Sequence, residues 1–107
     1  AMIAVELALA VSYPYAGNIG GGGFMVYAQA NGSVGSLDYR ELAPEKASEN
    51  MYLTANGSVN TDKSTKGALA VGVPGTIAGI FEVHKKFGSL QIEMLFKPAI
   101  RLARKGV

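Results

Sequence analysis

The sequence predicts an α+β fold in which helices pack on an antiparallel hairpin. An apolar helical segment opens the chain, an alternating segment is interrupted by Asn31-Gly32, and helical segments follow Pro74 and Ser89. This order is typical of a layer of helices over an antiparallel sheet rather than of a doubly wound fold. With 107 residues, 49% of them apolar, the chain is expected to pack as a single partial domain spanning residues 1–107.

The first predicted helix covers residues 1–12, which are rich in Ala, Leu and Met. It is apolar nearly all round, which predicts burial on most sides, and Pro14 cannot continue it. The apolar run is too short to span a membrane and no Lys or Arg precedes it, so we expect no signal peptide here. A chain that opens inside a buried helix is expected to be a piece of a larger protein.

The predicted hairpin follows a loop at residues 17–23. Residues 24–30 are expected to form a mostly buried strand and residues 33–40 its return strand, joined by a two-residue turn at Asn31-Gly32. Strand alternation separates two faces of the return strand, with Val34, Ser36, Asp38 and Arg40 on one and Gly35, Leu37 and Tyr39 on the other.

The segment after the hairpin, residues 42–66, is polar and irregular, with a short helix expected near residues 48–53. Pro74 is expected near the first position of the next helix and Gly88 at its C-cap. Helical spacing places five side chains on one apolar face of this helix: Ile77, Ile80, Phe81, His84 and Phe87.

The last predicted helix starts from Ser89 as N-cap and ends at Gly106. Pro98 lies inside it and should kink or divide it. Most basic residues of the chain fall in or near this helix, but no aromatic residues interleave with them to stack bases. With a net charge of only +2, solvated helix faces are favoured over a nucleic-acid surface.

Metal and disulfide chemistry are restricted by composition. The chain has no cysteine, and His84 is its single histidine, which excludes a disulfide scaffold, a cysteine metal centre and a multi-histidine site. We therefore expect no metal. Because His84 lies on an apolar helix face, a histidine in or at the edge of the core is favoured over a catalytic one.

The glycine run at residues 20–23 invites comparison with phosphate-binding loops. No Gly-Lys-Ser/Thr follows it, and the next predicted element is a strand rather than a helix that could face an anion. The favoured interpretation is a backbone packed where no side chain would fit, close to another strand or beside a site.

Arg40 ends a strand that should be largely buried, so its charge must be paired or must face a cavity. One interpretation is an ion pair with Asp38 on the same face of the strand. The other is a planar guanidinium offered to a ligand carboxylate. The residues alone leave both open. An acid–base pair of Asp38 and Glu41 is disfavoured because the two should point to opposite faces.

Four motifs carry a family resemblance: AGNIGGGGFM at residues 16–25, LDYRELAP at 37–44, GVPGTIAG at 72–79 and PAIRLA at 98–103. In this order and spacing they resemble the gamma-glutamyltranspeptidases over essentially the whole chain. The resemblance implies an N-terminal-nucleophile hydrolase with a four-layer αββα sandwich. It also implies that residues 1–107 form the N-terminal part of the large subunit.

The resemblance further implies a precursor that cleaves itself into two subunits, with a threonine at the new N-terminus of the small subunit as nucleophile. Such enzymes cleave the gamma-glutamyl amide of glutathione and related compounds and transfer the glutamyl group to water, amino acids or peptides. The implied partner is the small subunit, no metal or organic cofactor is implied, and the implied location is periplasmic or extracellular.

Arg40 matches the family arginine that binds the α-carboxylate of the glutamyl group, and Asp38 and Glu41 are the candidates to orient it. No catalytic residue is expected within these residues, so the chain alone is predicted to be inactive, and its exposed apolar faces favour self-association. The alternatives are a related cephalosporin or glutaryl acylase, a poly-gamma-glutamate processing enzyme, or a non-catalytic binding fragment.

Overall fold

A computed structural model describes residues 1–16 and 18–107. It confirms the α+β class and the antiparallel hairpin. The elements are α1 (Met2–Ser12), β1 (Phe24–Ala28), β2 (Val34–Asp38), α2 (Thr61–Thr65), a 3-10 turn (Ala68–Ala70), α3 (Thr76–Phe87) and α4 (Ile92–Lys105). Two compact units result, the first made of Ala1–Glu41 with Pro74–Val107 and the second of Leu42–Val73.

The core of the first unit lies where α1 packs on α3 and α4. Its buried apolar side chains are Ile3, Leu7, Ile80, Val83 and Ala99. Burial of α1 on most sides, as the sequence predicted, is wrong for this chain. Val5 and Leu9 remain 58% and 40% exposed, because only one side of the helix meets other elements of the unit.

The hairpin covers the core with one face. Its strands pair antiparallel, and Met25 and Leu37 pack against the buried cluster. The other face is open, with Phe24 64% and Val26 82% exposed. The prediction of a mostly buried first strand is therefore wrong, since burial alternates along both strands as expected for a sheet with one covered face.

The hairpin turn has three residues rather than the predicted two. The Gln29 N–H donates to Ser33 O at 2.8 Å, and the Gly32 N–H donates to Gln29 O at 2.9 Å. Gly32 has φ +85, whereas no described residue other than glycine has a positive φ. Because a two-residue Asn-Gly turn needs a positive φ at both positions, Asn31 instead precedes a single left-handed glycine. The loop at residues 17–23 was predicted to begin at Gly17, which lies outside the described residues.

The buried stripe of α3 differs from the predicted one. Thr76, Gly79, Ile80 and Val83 are buried, whereas Phe81 is 52% exposed. The predicted stripe followed the spacing of the large apolar residues. The close contact of α3 with Tyr39, however, is made at a glycine, Gly79. The ring of Tyr39 lies against Gly79, where an added Cβ would be 2.7 Å from the ring carbon Cδ2.

The ends of α3 and α4 agree in part with the sequence. Gly88 is the C-cap of α3, but its φ of −68 is not left-handed. Ser89 was predicted as the N-cap of α4, which is wrong: the cap position is Gln91, because the connection extends through Leu90. His84 Nε2 lies 2.7 Å from Leu90 O and so fixes that connection from the edge of the core.

Helix α4 continues without division past Pro98 to Lys105. It ends where predicted, at Gly106, whose φ is +86 and whose N–H donates to Leu102 O at 2.9 Å. The expected division at Pro98 is wrong. A proline loses one intrahelical hydrogen bond, which tertiary packing can offset, and the next residue, Ala99, belongs to the buried core.

In the second unit the helix is displaced from its predicted place. Residues 48–53 form turns, and α2 lies instead at Thr61–Thr65. Asn60 determines this start, because its side chain accepts the Lys63 N–H at 3.3 Å as an N-cap. Leu42 and Val73 pair at the two ends of the unit. Among the described residues of the whole chain, no helix has the length and apolar character needed to traverse a membrane.

Candidate functional site

Arg40 lies two residues beyond the end of β2, with its side chain exposed. The expectation of a largely buried arginine is wrong, because the hairpin is covered on one face and residue 40 belongs to the other. The ion pair with Asp38, offered as one interpretation, does not form either. In residues 1–16 and 18–107, Lys66–Asp62 in the second unit is the one ion pair within 4 Å.

Asp38 contacts Arg40 through the main chain. Its Oδ1 accepts the Arg40 backbone N–H at 3.0 Å. This short-range bond is typical of an aspartate that stabilises a turn two residues on. Asp38 thus fixes the backbone of residue 40 and does not meet its guanidinium, and the orientation of the Arg40 side chain by Asp38 or Glu41 stays a prediction.

The glycine run at residues 20–23, here called the glycine tract, packs against the main chain around Arg40. Gly23 and Tyr39 exchange backbone hydrogen bonds at 3.0 and 3.4 Å, which extends the strand ladder toward Arg40. At Gly22 an added Cβ would lie 2.7 Å from both Tyr39 O and Glu41 N and 2.8 Å from the Arg40 carbonyl carbon. The prediction that these glycines allow two backbones to approach where no side chain fits is confirmed at Gly22.

A second glycine packs against the same main chain. A Cβ added at Gly75 would overlap Tyr39 O and would lie 2.9 Å from Arg40 O. Gly22 and Gly75 therefore both contact the main chain of residues 39–41, and both belong to the first unit. Since main-chain atoms cannot swing aside as a flexible side chain can, the position of Arg40 is strongly determined.

The start of α3 ties the two glycine segments together. Gly21 O accepts the N–H groups of Gly75 and Thr76 at 2.9 and 3.0 Å. The Thr76 hydroxyl donates to Asn18 O at 3.2 Å, and Thr76 is fully buried. Thr76 was not predicted as a site residue, although it lies inside the Pro-Gly-Thr that begins a predicted helix and inside one of the four family motifs.

Tyr39 is partly buried, and its ring packs against Gly23 and Gly79. A Cβ added at Gly23 would lie 3.1 Å from the hydroxyl oxygen of Tyr39. Burial raises the pKa of Tyr39 above its ordinary value, and the negative charge of Glu6 raises it further. The Glu41 carboxylate lies across the tract, with Oε1 3.3 Å from a Cβ added at Gly21.

No group of three or more metal-binding side chains occurs among the described residues that could hold an ion. A cavity of about 240 Å³ in the first unit involves none of residues 18–23 or 38–41. Its apolar lining includes Met2, Met25, Tyr27, Val83, Phe87 and Leu95. The geometry around Arg40 therefore consists of one exposed cation on a rigid backbone, suited to binding an anion that approaches from outside this chain.

A family model, related proteins and solved structures all match this chain and agree on one family. The family model described as Gamma-glutamyltranspeptidase matches residues 1–107. The glutathione hydrolase proenzyme of Pseudomonas sp. (strain A14) is 53% identical over 106 residues, which are 99% of this chain and 18% of the relative.

Solved structures extend the likeness to three dimensions. The gamma-glutamyltranspeptidase of Helicobacter pylori superposes with a TM-score of 0.92 at 51% identity, over 95% of this chain and 29% of that chain. The Bacillus anthracis transpeptidase enzyme CapD superposes with a TM-score of 0.72 at 31% identity, over 99% of this chain and 30% of that one. The chain thus spans less than a third of the proteins it matches.

Proposed function

Since this chain belongs to the gamma-glutamyltranspeptidase family, we propose that it forms the N-terminal part of the large subunit of an enzyme that cleaves gamma-glutamyl amides. The relative from Pseudomonas sp. is named a glutathione hydrolase proenzyme, which supports glutathione as a substrate and a precursor that is processed. In this proposal the chain contributes a helix layer and a hairpin to an αββα sandwich completed by the rest of the precursor.

Arg40 is the residue that we assign to substrate binding. Its guanidinium is exposed, and in residues 1–16 and 18–107 it has no carboxylate within 4 Å, while its backbone is held by Asp38, Gly22 and Gly75. This combination of a fixed backbone and an available charge is the observation that supports the assignment. A planar guanidinium can bind a carboxylate through two parallel hydrogen bonds, which suits the α-carboxylate of a glutamyl group.

The chemistry itself is assigned to the small subunit. In the proposed reaction its N-terminal threonine hydroxyl attacks the gamma-carbonyl carbon, and its α-amine accepts the hydroxyl proton. The amide bond breaks, the leaving amine takes a proton, and water, an amino acid or a peptide then resolves the acyl-enzyme. Arg40 contributes by holding the glutamyl group so that its gamma-carbonyl meets the nucleophile. The chain alone is accordingly expected to release no gamma-glutamyl product.

The test is Arg40→Gln in the full-length protein, assayed on a gamma-glutamyl anilide and on a 4-aminobutyryl anilide. A 4-aminobutyryl group keeps the amine of the glutamyl group but lacks its α-carboxylate, so only the gamma-glutamyl substrate can use Arg40. Because hydrogen bonds to charged groups contribute about 1.5–3 kcal/mol, we expect kcat/KM to fall roughly 10- to 100-fold for gamma-glutamyl and little for 4-aminobutyryl.

The matched control is Arg101→Gln, which removes the same charge from an exposed position on α4. It should leave both substrates unaffected. An equal loss on both substrates with Arg40→Gln, or no loss on either, contradicts a carboxylate-binding role for Arg40.

The unaltered protein, assayed on a gamma-glutamyl anilide and on a glutaryl anilide that lacks the α-amine, separates the alternatives. A cephalosporin or glutaryl acylase would prefer the glutaryl anilide, and a non-catalytic protein would turn over neither. A poly-gamma-glutamate processing enzyme would release products from that polymer. The 53% identity to a relative named glutathione hydrolase proenzyme supports the small gamma-glutamyl substrate.

A further inference from the structure

We propose that Thr76 is a positioning residue for Arg40, acting through the glycine tract rather than by touching substrate. The inference rests on the proposed carboxylate-binding role of Arg40 and adds a residue 36 positions along the chain to the same site. Three structural steps lead from the Thr76 side chain to the backbone of Arg40.

The first step is the anchoring of the tract by Thr76. The residue is fully buried, its N–H donates to Gly21 O at 3.0 Å, and its hydroxyl donates to Asn18 O at 3.2 Å. A threonine at the start of a helix usually satisfies groups of its own first turn. Here the hydroxyl reaches a carbonyl 58 positions away, so it holds two distant segments together.

The second step is the contact of the glycine tract with the segment that carries Arg40. Gly21, whose carbonyl is held by Thr76, precedes Gly22 and Gly23. Gly23 exchanges two backbone hydrogen bonds with Tyr39, and Gly22 approaches the backbone atoms of residues 39–41 so closely that a Cβ would not fit. A shift of the tract is therefore transmitted to the backbone of Arg40, because no side chain lies between them to absorb it.

The third step is the direct contact of Gly75 with the segment that carries Arg40. Gly75, next to Thr76, lies against Tyr39 O and Arg40 O, and its N–H also donates to Gly21 O at 2.9 Å. Residues 75 and 76 thus contact both the tract and the segment that carries Arg40. Loss of the Thr76 hydroxyl leaves Asn18 O without this donor and should loosen the contacts that the tract and Gly75 make with the backbone of Arg40.

The experiment compares Thr76→Val, Thr76→Ser and the control Ile80→Val in the full-length protein. Valine keeps the shape of threonine without the hydroxyl, serine keeps the hydroxyl, and Ile80 is a buried core residue of the same helix that bears no hydrogen bond to the tract. KM and kcat are measured with the gamma-glutamyl and 4-aminobutyryl anilides, and the thermal midpoint reports stability.

We expect Thr76→Val to raise KM for the gamma-glutamyl anilide about two- to tenfold, with kcat and the 4-aminobutyryl KM within about twofold. Thr76→Ser should restore the gamma-glutamyl KM. Ile80→Val should lower the thermal midpoint without changing the ratio of the two KM values, because it weakens the core and leaves the tract in place.

In the double variant Arg40→Gln with Thr76→Val, the second change should add nothing to the gamma-glutamyl KM, since Thr76 acts through Arg40. If Arg40→Gln is selective for the gamma-glutamyl substrate and Thr76→Val is not, the positioning role is wrong while the proposed function stands. If Arg40→Gln is not selective, the carboxylate-binding role is wrong whatever Thr76 does. Should Thr76→Val fail to fold, Thr76→Ala, which removes a methyl group as well, takes its place with the same expected ratio.

Discussion

The Asp38 carboxylate accepts a hydrogen bond from the backbone N–H of Arg40 at 3.0 Å, while the side chain of Arg40 points into solvent. Strand alternation places the two side chains on the same face, and an ion pair between them would neutralise the charge that a ligand needs. The observed bond fixes the backbone of Arg40 and leaves its guanidinium available. In the proposed binding site, Asp38 therefore supports Arg40 without competing for its charge.

Asp38→Ala is expected to lower the stability of the full-length protein by about 1 kcal/mol, because the Arg40 N–H loses its acceptor. The KM for a gamma-glutamyl anilide should rise, since Arg40 is less well fixed. Asp38→Asn keeps a side-chain oxygen at the same position and should retain most of both properties. Thermal midpoints and KM values measure the two effects.

Asp62→Ala serves as the control, because Asp62 pairs with Lys66 on the surface of the second unit with both side chains 78% exposed. Such pairs contribute little to stability, so near-neutral behaviour is expected. Identical KM values for Asp38→Ala and the unaltered protein would show that the bond to Arg40 has no part in binding.

Gly22 and Gly20 allow a matched comparison within the tract. A Cβ at Gly22 would lie 2.7 Å from Tyr39 O and Glu41 N, whereas the nearest atom to a Cβ at Gly20 is Asn18 Oδ1 at an ordinary 3.5 Å. Gly22→Ala should cost about 1–3 kcal/mol and sharply reduce gamma-glutamyl turnover, because two backbones must separate. Gly20→Ala should be tolerated. Equal thermal midpoints for the two variants would contradict the close backbone approach.

Much of the site could be predicted from the sequence because its signals are local. Alternation assigned Arg40 to its strand face, and the glycine run predicted close backbone packing, which Gly22 shows. The roles of Thr76 and Gly75 depend on contacts with residues more than 30 positions away, and no periodicity encodes such contacts. They were visible only as part of a family motif.

The errors in the fold have a common physical origin. Large apolar residues were taken to mark buried faces, yet Phe81 and Val26 are exposed while Gly79 and Thr76 are buried. A glycine can admit a tyrosine ring, and a threonine can bury its hydroxyl once it is hydrogen-bonded. Hydrophobicity alone therefore located the elements better than it located their contact faces.

His84 provides a test of the connection between α3 and α4. Its Nε2 lies 2.7 Å from Leu90 O, and because a carbonyl oxygen only accepts, Nε2 must donate. His84→Ala should lower stability by about 0.5–1.5 kcal/mol, while His84→Gln, which keeps a donor, should lose less. Lys85→Ala, at the exposed neighbouring position, is the control for helix propensity. Thermal midpoints measure all three, and a loss with Lys85→Ala equal to that with His84→Ala would remove the hydrogen bond as the cause.

Tyr39 predicts a specific loss of stability at alkaline pH. Burial, and then the charge of Glu6, raises the pKa of Tyr39 in the folded chain above its ordinary value. As pH rises past about 10, a tyrosine in the unfolded chain loses its proton before Tyr39 does in the folded one. The unfolded state then binds fewer protons than the folded state, so the free energy of unfolding falls with increasing pH until Tyr39 itself ionises.

Tyr39→Phe removes this titration and should flatten the decline of the thermal midpoint above about pH 9 relative to the unaltered protein. Tyr15→Phe is the matched control, because it removes the same hydroxyl from a side chain that is 92% exposed. The comparison cancels the contributions of lysines and other tyrosines, which are common to all three proteins. A decline that is equally steep in Tyr39→Phe and Tyr15→Phe would mean that Tyr39 ionises as freely in the folded chain as in the unfolded one.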